Sequence, residues 1–327
     1  SIFLLSGGLA FSDYLRAKIL TGFPWNLWAY SFSWATEIIQ VLNILGLFSF
    51  NLIIITIFMF PAVLFLKANN SKKILQILCI PSIIFIFYIY VNHAINKNQK
   101  EIASIVESYR IKVISPNFEL KYGLAEEEIH SRLKKLIRYS EPSNNIKTLF
   151  IWTEGVFSGY SYNEISELKN TFLNNFSKKH FILLGINRLD KDNNGYYNSM
   201  IVVNNNMEIV QEYKKQKLVP FGEFLPFENF LKKFGLKKIT EGYGSFLKGG
   251  SQNPIKIENL NILPLICYEI IFTSLTQNKN QNTNLIINIS EDGWFGQSIG
   301  PYQHFAKAIF RAVETNLYVL RSANKGI

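Results

Sequence analysis

The sequence predicts an α/β domain preceded by an α-helical membrane region, and two observations support this prediction. Apolar residues are concentrated in the first hundred positions, although the chain of 327 residues is only 48% hydrophobic. Beyond residue 100, short apolar runs rich in β-branched residues alternate with amphipathic stretches. That alternation is typical of sheets covered by helices. We therefore expect a partial transmembrane domain over residues 1–100 and a water-facing domain over residues 101–327.

Two apolar segments predict a helical hairpin in the membrane. Residues 44–66 are almost all apolar, which is enough helix to cross a hydrocarbon core about 30 Å thick. Residues 74–91 form a shorter run that contains Pro81, and at a rise of about 1.5 Å per residue it still nearly spans. Residues 1–11 lack the charged start and cleavage site of a signal peptide and predict part of a further helix. We expect a fragment that begins inside a larger membrane domain.

The placement of lysines predicts the orientation of this hairpin. The loop between the two spans carries Lys67, Lys72 and Lys73, whereas Lys97 and Lys100 follow the second span. Because positive residues are enriched on the cytoplasmic side, this bias places the loop in the cytoplasm. We therefore expect a multi-pass protein of the inner (cytoplasmic) membrane whose large domain lies on the periplasmic side.

Charge and cysteine content narrow the expected partners. The lysines behind the net charge of +10 are scattered among Asn and Ser, which argues against nucleic acid. An anionic membrane surface or a compositional bias without any partner would account for them. The two cysteines cannot build a disulfide framework; Cys79 lies in an apolar run, which leaves Cys267 as the candidate thiol. The four histidines show no metal-ligand spacing, so we expect no metal or other cofactor.

Periodicity predicts the elements of the second domain. Five apolar runs are typical of buried strands, at residues 110–114, 146–152, 181–186, 260–266 and 285–289. A capping box formed by Ser161 and Glu164 predicts a helix start, followed on one face by Ile165, Leu168, Phe172 and Phe176. A second stripe predicts a helix from about Ala125, with Ile129, Leu133, Leu136 and Ile137 on its apolar face.

Three reactive side chains follow strand-like segments. Glu154 follows the run 146–152, Cys267 follows the run 260–266, and Lys215 follows an alternating stretch at 207–213. Reactive groups of open α/β folds collect past the carboxyl ends of strands, because the loops diverge there. A thiol is a weak nucleophile until a base removes its proton or a cation stabilises the thiolate. Glu and Lys supply these functions, and Lys can also hold an oxyanion. The alternative is that Cys267 is an ordinary core residue and Lys215 an ordinary surface residue, neither with a catalytic function.

The segments around these residues resemble the nitrilase superfamily and, within it, the bacterial apolipoprotein N-acyltransferases. The matching segments are WTEGVF at 152–157, YKKQKLVPFGEFLP at 213–226, CYE at 267–269, TGFPW at 21–25, YNS at 197–199, and DGWFGQSIGP at 292–301 followed by His304. The resemblance covers essentially the whole chain and selects Lys215 over its neighbouring lysines. Thr153 departs from it, because the family has proline before this glutamate.

The resemblance implies a nitrilase-like four-layer αββα catalytic domain at residues 101–327, with Glu154, Lys215 and Cys267 as its triad. It implies that Cys267 takes a fatty acyl chain from a phospholipid as a thioester. The N-terminal amine of a diacylglyceryl-cysteine apolipoprotein would then receive that chain. Phospholipid, apolipoprotein and membrane are thus the expected partners.

The resemblance also implies supporting residues. Glu223 would orient Lys215, while Tyr268 and Glu269 would shape the pocket or the oxyanion site. Trp294 and Phe295 would line the entry of the acyl chain or pack in the core.

Two other functions use the same residues. A membrane-tethered amidase or nitrilase would let water attack the acyl-enzyme, and an inert scaffold would bind lipoprotein without turning it over. No triad residue is missing, which disfavours the scaffold. The membrane hairpin and the segments 21–25 and 294–301 favour transfer to an amine, because a soluble amidase needs neither.

Overall fold

The computed structural model describes residues 2–65, 74, 78, 81–82, 85–90, 109–121, 123–231, 233, 235, 244–251, 253–276 and 283–327. They form two compact units. The first takes in the described residues before 105 with residues 271–273 and 309–317, and the second takes in the rest. The five lysines used to predict orientation, Cys79 and much of the predicted span at 74–91 lie outside the described residues.

Two helices organise the first unit, α1 (Ile2–Lys18) and α2 (Leu42–Met59). The predicted partial helix at 1–11 was too short, because α1 continues to Lys18. Polar contacts stabilise the C-terminal part of α1. Arg16 lies 2.7 Å from Asp13, and Asn51 of α2 donates to Asp13 at 2.9 Å.

Helix α2 belongs to a helical stretch, Ile38–Ala62, that is long and apolar enough to cross a membrane by length and composition. This stretch overlaps the predicted span at 44–66 and begins six residues earlier. Gly46 interrupts α2 with φ 72°, a backbone conformation that glycine adopts at little cost. The Leu47 N–H donates instead to Glu314 Oε1 at 3.1 Å, so the interruption leaves no unpaired donor at that position.

The second unit contains two mixed sheets. The first consists, in spatial order, of β1 (Arg110–Val113), β2 (Thr148–Ile151), β3 (His180–Asp190), β4 (Gly195–Val203) and β5 (Ile209–Lys214). Strands β1 to β3 are parallel, and β4 and β5 are antiparallel to their neighbours. The second sheet consists of β6 (Ile255–Ile257), β7 (Leu260–Ile266), β8 (Leu285–Glu291) and β9 (Tyr318–Asn324). Strands β7 to β9 are parallel. All five predicted strands are confirmed, β7 with the predicted ends and the other four with shifted ends.

The helices of this unit are α3 (Glu126–Ser140), α4 (Tyr162–Ile165), α5 (Lys169–Asn175), α6 (Glu228–Leu231), α7 (Thr273–Thr276) and α8 (Gly300–Thr315), whose last residues belong to the first unit. Helix α3 begins after Ala125, as predicted. The predicted capping box is also present, since the Ser161 N–H donates to Glu164 at 2.7 Å. The prediction of one continuous helix after Ser161 was wrong, because a 3₁₀ turn separates α4 from α5. There Ser166 Oγ donates to the Asn163 carbonyl, a local bond that competes with helical pairing.

The two faces of the first sheet pack against different partners. Along β2 the side chains alternate, so Phe150 faces one core while Leu149 and Ile151 face the other, as the pleat of a strand requires. The first core contains apolar residues of α3 and α5, among them Leu133, Leu136 and Phe172. The second core lies between the sheets and contains Ile262, Ile266, Ile287 and Ile289 of the second sheet. Each such buried side chain stabilises the fold by about 1.5–3 kcal/mol.

Candidate active site

The carboxyl ends of β2 and β8 meet, and polar side chains gather where they do. Glu154 follows β2, and the Glu291 N–H at the end of β8 donates to Glu154 Oε2 at 3.0 Å. Gly185 of β3 allows this approach, because a Cβ atom there would lie 2.8 Å from Glu154 Cα. The structure therefore places Glu154 past the carboxyl ends of two strands.

Lys215 lies at the centre of a charged cluster. Its Nζ atom is 2.8 Å from Glu223 Oε1 and 3.6 Å from Glu154 Oε1. Asn198 Nδ2 donates to the same two oxygen atoms, at 2.7 Å each. The Lys215 side chain is only 1% exposed. A cation this deeply buried needs such partners, because removing it from water is costly.

The two carboxylates keep Lys215 charged. Burial by itself lowers the pKa of Lys215, but the charges of Glu223 and Glu154 outweigh burial and hold this pKa above its ordinary value. Lys215 is therefore a fixed cation rather than a proton donor at neutral pH. Such a cation can stabilise an oxyanion in a site that excludes water.

Cys267 follows β7 at the start of a 3₁₀ turn, Cys267–Ile271, with its backbone in the left-handed region at φ 47°. Burial and the charge of Glu154 raise the pKa of its thiol, against the charge of Lys215, so that the pKa lies above its ordinary value. The thiol is therefore protonated at neutral pH, and a base would have to remove its proton before the sulfur could act as a nucleophile.

Glu269 faces the main chain rather than the pocket. Its carboxylate accepts hydrogen bonds from the Gln216 N–H at 2.7 Å, the Lys217 N–H at 3.0 Å and the Ile266 N–H at 2.9 Å. Tyr213 Oη donates to it at 3.0 Å. Burial raises the pKa of Glu269 to about 7, against these bonds. Glu269 thus joins the segment after Lys215 to the end of β7.

The other residues predicted to support the site, Tyr268, Trp294 and Phe295, differ in their burial and contacts. Tyr268 is buried, and burial raises the pKa of its hydroxyl above the ordinary value. Trp294 is 47% exposed. Phe295 meets the His304 ring edge-on at 5.7 Å, and a Cβ atom on Gly300 would lie 2.4 Å from the Phe295 ring. Of the two roles expected for Phe295, packing is the one its contacts support.

Sequence reasoning missed Asn198, Asp292 and His304 as members of the site. All three lie in segments that carried the resemblance, but nothing in the segments indicated their contacts. Asn198 belongs to β4, which was not predicted, and its carbonyl accepts the Lys215 N–H at 2.9 Å. The polar pair Asn198 and Ser199, directly before the apolar run 200–203, was the available signal.

Comparison with known proteins identifies the family. The sequence profile of the carbon-nitrogen hydrolases matches residues 123–327. The chain belongs to the carbon-nitrogen hydrolase family. Within this family it is similar to the apolipoprotein N-acyltransferase of Rhodopseudomonas palustris, with 29% identity over 343 residues and 100% of the chain covered. It is 34% identical over 322 residues to that of Rickettsia prowazekii, with 96% of the chain covered. The chain spans 63% and 62% of the lengths of these relatives.

Among solved structures, the chain is similar to Saccharomyces cerevisiae Nit3, a member of branch 10 of the nitrilase superfamily, with 17% identity and a TM-score of 0.45. That match covers 65% of this chain and 74% of Nit3. The carbon-nitrogen hydrolase match confirms the predicted α/β class of the second unit, and the two curated relatives confirm the predicted resemblance to apolipoprotein N-acyltransferases.

Proposed function

We propose that this protein transfers a fatty acyl chain from a phospholipid, through a thioester on Cys267, to the N-terminal amine of a diacylglyceryl-cysteine apolipoprotein. The main support is the buried cluster in which Lys215 Nζ lies 3.6 Å from Glu154 Oε1 and 2.8 Å from Glu223 Oε1, close enough to Cys267 for the charges of Glu154 and Lys215 to act on its thiol. The relatives named apolipoprotein N-acyltransferase supply the substrate class.

In the first step the Cys267 sulfur attacks the carbonyl carbon of a phospholipid ester, and Glu154 takes the thiol proton. The base is needed because the pKa of the thiol lies above its ordinary value. Lys215 holds the oxyanion of the tetrahedral intermediate. The carbon–oxygen bond then breaks, the proton passes from Glu154 to the leaving glycerol oxygen, and a thioester and a lysophospholipid result.

In the second step the amine of the lipoprotein attacks the thioester carbonyl. Glu154, ionised again, accepts a proton from the amine, and Lys215 holds the second oxyanion. The carbon–sulfur bond breaks, the sulfur regains a proton, and an amide is formed. Glu223 keeps Lys215 in place through both steps, since it accepts from Lys215 Nζ at 2.8 Å. Asn198 fixes Glu154 and Glu223, to which it donates at 2.7 Å each.

We further propose that the catalytic unit is a four-layer αββα domain attached to a multi-pass region of the bacterial inner membrane, on its periplasmic side. The helical stretch Ile38–Ala62 supports the membrane region. Both proposed substrates, the phospholipid and the apolipoprotein, are anchored in a bilayer. An active site attached to the same membrane can therefore meet both without extraction of a lipid into water.

Intact-mass spectrometry of the protein in lipid nanodiscs tests the proposal, with phospholipid present and no amine acceptor. We expect a fatty-acyl adduct on the unsubstituted protein and none on Cys267→Ala. A diacylglyceryl-cysteine peptide should remove the adduct and gain its mass. Cys79→Ala is the matched control and should retain the adduct.

Other outcomes would contradict the proposal. Release of free fatty acid or ammonia without an adduct would indicate the hydrolase, because water would then be the acceptor. An adduct that persists in Cys267→Ala would reject Cys267 as the nucleophile. The absence of both adduct and product would favour the inert scaffold.

A further inference from the structure

A buried polar network lies directly behind Cys267, on the face of the second sheet away from the shared core. His304 of α8 is 1% exposed and Asp292 is fully buried. Arg321 of β9 lies between them, with its side chain only 4% exposed. The proposed catalytic steps use none of these groups. Burying ionisable side chains costs free energy unless each is paired. The presence of these three buried side chains therefore needs an explanation.

The network reaches the nucleophile through its main chain. His304 Nε2 lies 3.2 Å from the Cys267 carbonyl oxygen. Asn288 Nδ2 is 3.4 Å from that oxygen and donates to the Leu265 carbonyl at 3.0 Å. Because a carbonyl only accepts hydrogen bonds, this contact requires a proton on Nε2. The Cys267 carbonyl therefore has one ring donor and one weaker amide donor.

The other ring nitrogen of His304, Nδ1, has two charged neighbours. Arg321 Nη2 lies 3.2 Å from it and Asp292 Oδ1 lies 2.9 Å from it. A proton on Nδ1 would be bound by this carboxylate, whereas an Nδ1 without a proton accepts from Arg321. In both cases Nε2 can carry the proton that reaches the Cys267 carbonyl. Burial and the Arg321 guanidinium lower the pKa of His304, against the charge of Asp292.

The ring is held from several sides. Asp292 accepts from Ser290 Oγ at 2.6 Å and from Arg321 Nη2 at 2.7 Å, so the carboxylate that lies beside Nδ1 is itself fixed. Phe295 contacts the ring edge-on. A side chain restrained in this way loses little further conformational entropy when it makes a specific contact.

The held carbonyl belongs to a strained residue. Cys267 has φ 47°, and a non-glycine residue in the left-handed region costs about 1–2 kcal/mol and persists only where its surroundings hold it. The peptide unit is planar, so fixing the carbonyl of Cys267 also fixes the plane that joins it to Tyr268. We propose that His304 is a positioning residue, which holds the Cys267 peptide carbonyl and so maintains the left-handed turn that presents the thiol. This inference rests on Cys267 being the nucleophile of the proposed function.

Two substitutions of His304 distinguish the contributions of its two ring nitrogens. The amide nitrogen of His304→Gln can take the place of Nε2 and donate to the Cys267 carbonyl. The shorter His304→Asn side chain reaches the place of Nδ1 and loses that bond. Both variants remove the imidazole and have similar polarity, so a merely structural role would affect them alike. His130→Asn, on the outer side of α3, is the matched control because its side chain is 45% exposed.

The measurement is the rate of alkylation of Cys267 by iodoacetamide, followed by peptide mass spectrometry on the protein in nanodiscs, with the melting temperature of each variant. We expect His304→Asn to slow alkylation and acyl-enzyme formation by about 10- to 100-fold, the effect of a small displacement of a reacting group. The KM for phospholipid should be unchanged. His304→Gln should recover most of the rate, and His130→Asn should match the unsubstituted protein.

Equal losses in the Gln and Asn variants, or no loss in either, would overturn the positioning role. A His304→Asn protein that melts far below His304→Gln would also overturn it, because the bond would then stabilise the fold rather than the thiol. Alkylation needs no lipid or acceptor. If the variants show the expected alkylation rates but the unsubstituted protein transfers no acyl chain, the proposed function is rejected and the positioning role stands. No labelling of Cys267 in the unsubstituted protein would reject the nucleophile and both proposals.

Discussion

The ends of the two sheets contribute different polar chemistry to the same site. At the first sheet, Glu154 and Glu223 surround the charged Lys215 at 3.6 and 2.8 Å. At the second sheet, the buried polar groups mainly hold main-chain atoms, as His304 does at the Cys267 carbonyl and Glu269 at the Ile266 N–H. In the proposed mechanism, proton transfer and oxyanion binding therefore belong to the first sheet, and positioning of the nucleophile belongs to the second.

The largest expected effect tests the role of the first sheet. Glu154→Gln should reduce acyl-enzyme formation by about 10²–10⁴-fold, because a general base contributes that much and the resting thiol is protonated. The amide keeps the shape of the side chain and can still accept the Glu291 N–H bond. The burst of lysophospholipid release, measured by rapid quench, reports this step.

A matched carboxylate serves as the control for that substitution. Glu167 is exposed, in the 3₁₀ turn Ser166–Leu168 on the helical side of the first sheet. Glu167→Gln should leave the burst unchanged. A full-rate burst in Glu154→Gln would show that another group removes the thiol proton, and the division between the two sheets would then fail.

The second prediction compares Lys215 with another buried lysine. Lys307 of α8 is 2% exposed, and burial lowers its pKa to about 7, whereas carboxylates keep the pKa of Lys215 high. Because the pKa of Lys307 is lower in the folded than in the unfolded state, the protein should gain stability as the pH rises from about 7 to about 10.5. Lys307→Met should remove this dependence on pH.

Melting temperatures at pH 6, 8 and 10 measure this effect. The melting temperature of the unsubstituted protein should rise from pH 6 to pH 10 relative to that of Lys307→Met. Lys134→Met on the exposed side of α3 is the matched control and should keep the pH dependence of the unsubstituted protein. A constant difference between the unsubstituted protein and Lys307→Met at all three pH values would mean that Lys307 does not titrate in this range.

The smallest expected effect concerns the residue before Glu154. Thr153 is fully buried, and its hydroxyl has no hydrogen-bond partner among the residues that the structure describes. Thr153→Val removes that hydroxyl and keeps the shape, so we expect a stabilisation of about 1 kcal/mol. This corresponds to a rise in melting temperature of about 2–4 °C, with the catalytic burst unchanged.

Thr148 of β2 is the comparison for this change. It is also buried, but its hydroxyl donates to the Ile146 carbonyl at 3.2 Å. Thr148→Val should therefore lower the melting temperature. A loss of stability in Thr153→Val would indicate that its hydroxyl is satisfied by ordered water, and the contrast between the two threonines would disappear.

Local patterns predicted most of the buried framework. The run at 260–266 coincides with β7, and the stripe that begins at Ile129 is the buried face of α3. Such segments are predictable because burial imposes a period of two on strands and of 3.6 on helices. Strand β4 escaped prediction, because six of its nine residues are buried in succession and show no alternation.

The sequence by itself predicted a two-part organisation and determined the reactive residue types and, through the resemblance, which lysine and which cysteine to consider. Only the tertiary structure decided that Asn198 bridges Glu154 and Glu223, that Glu269 faces the main chain, and that His304 contacts Cys267. Periodicity reports which face of an element is buried, but not which distant side chain it meets. Glu154 and Glu291 are 137 residues apart in the chain, and their contact exists only once the two sheets have packed.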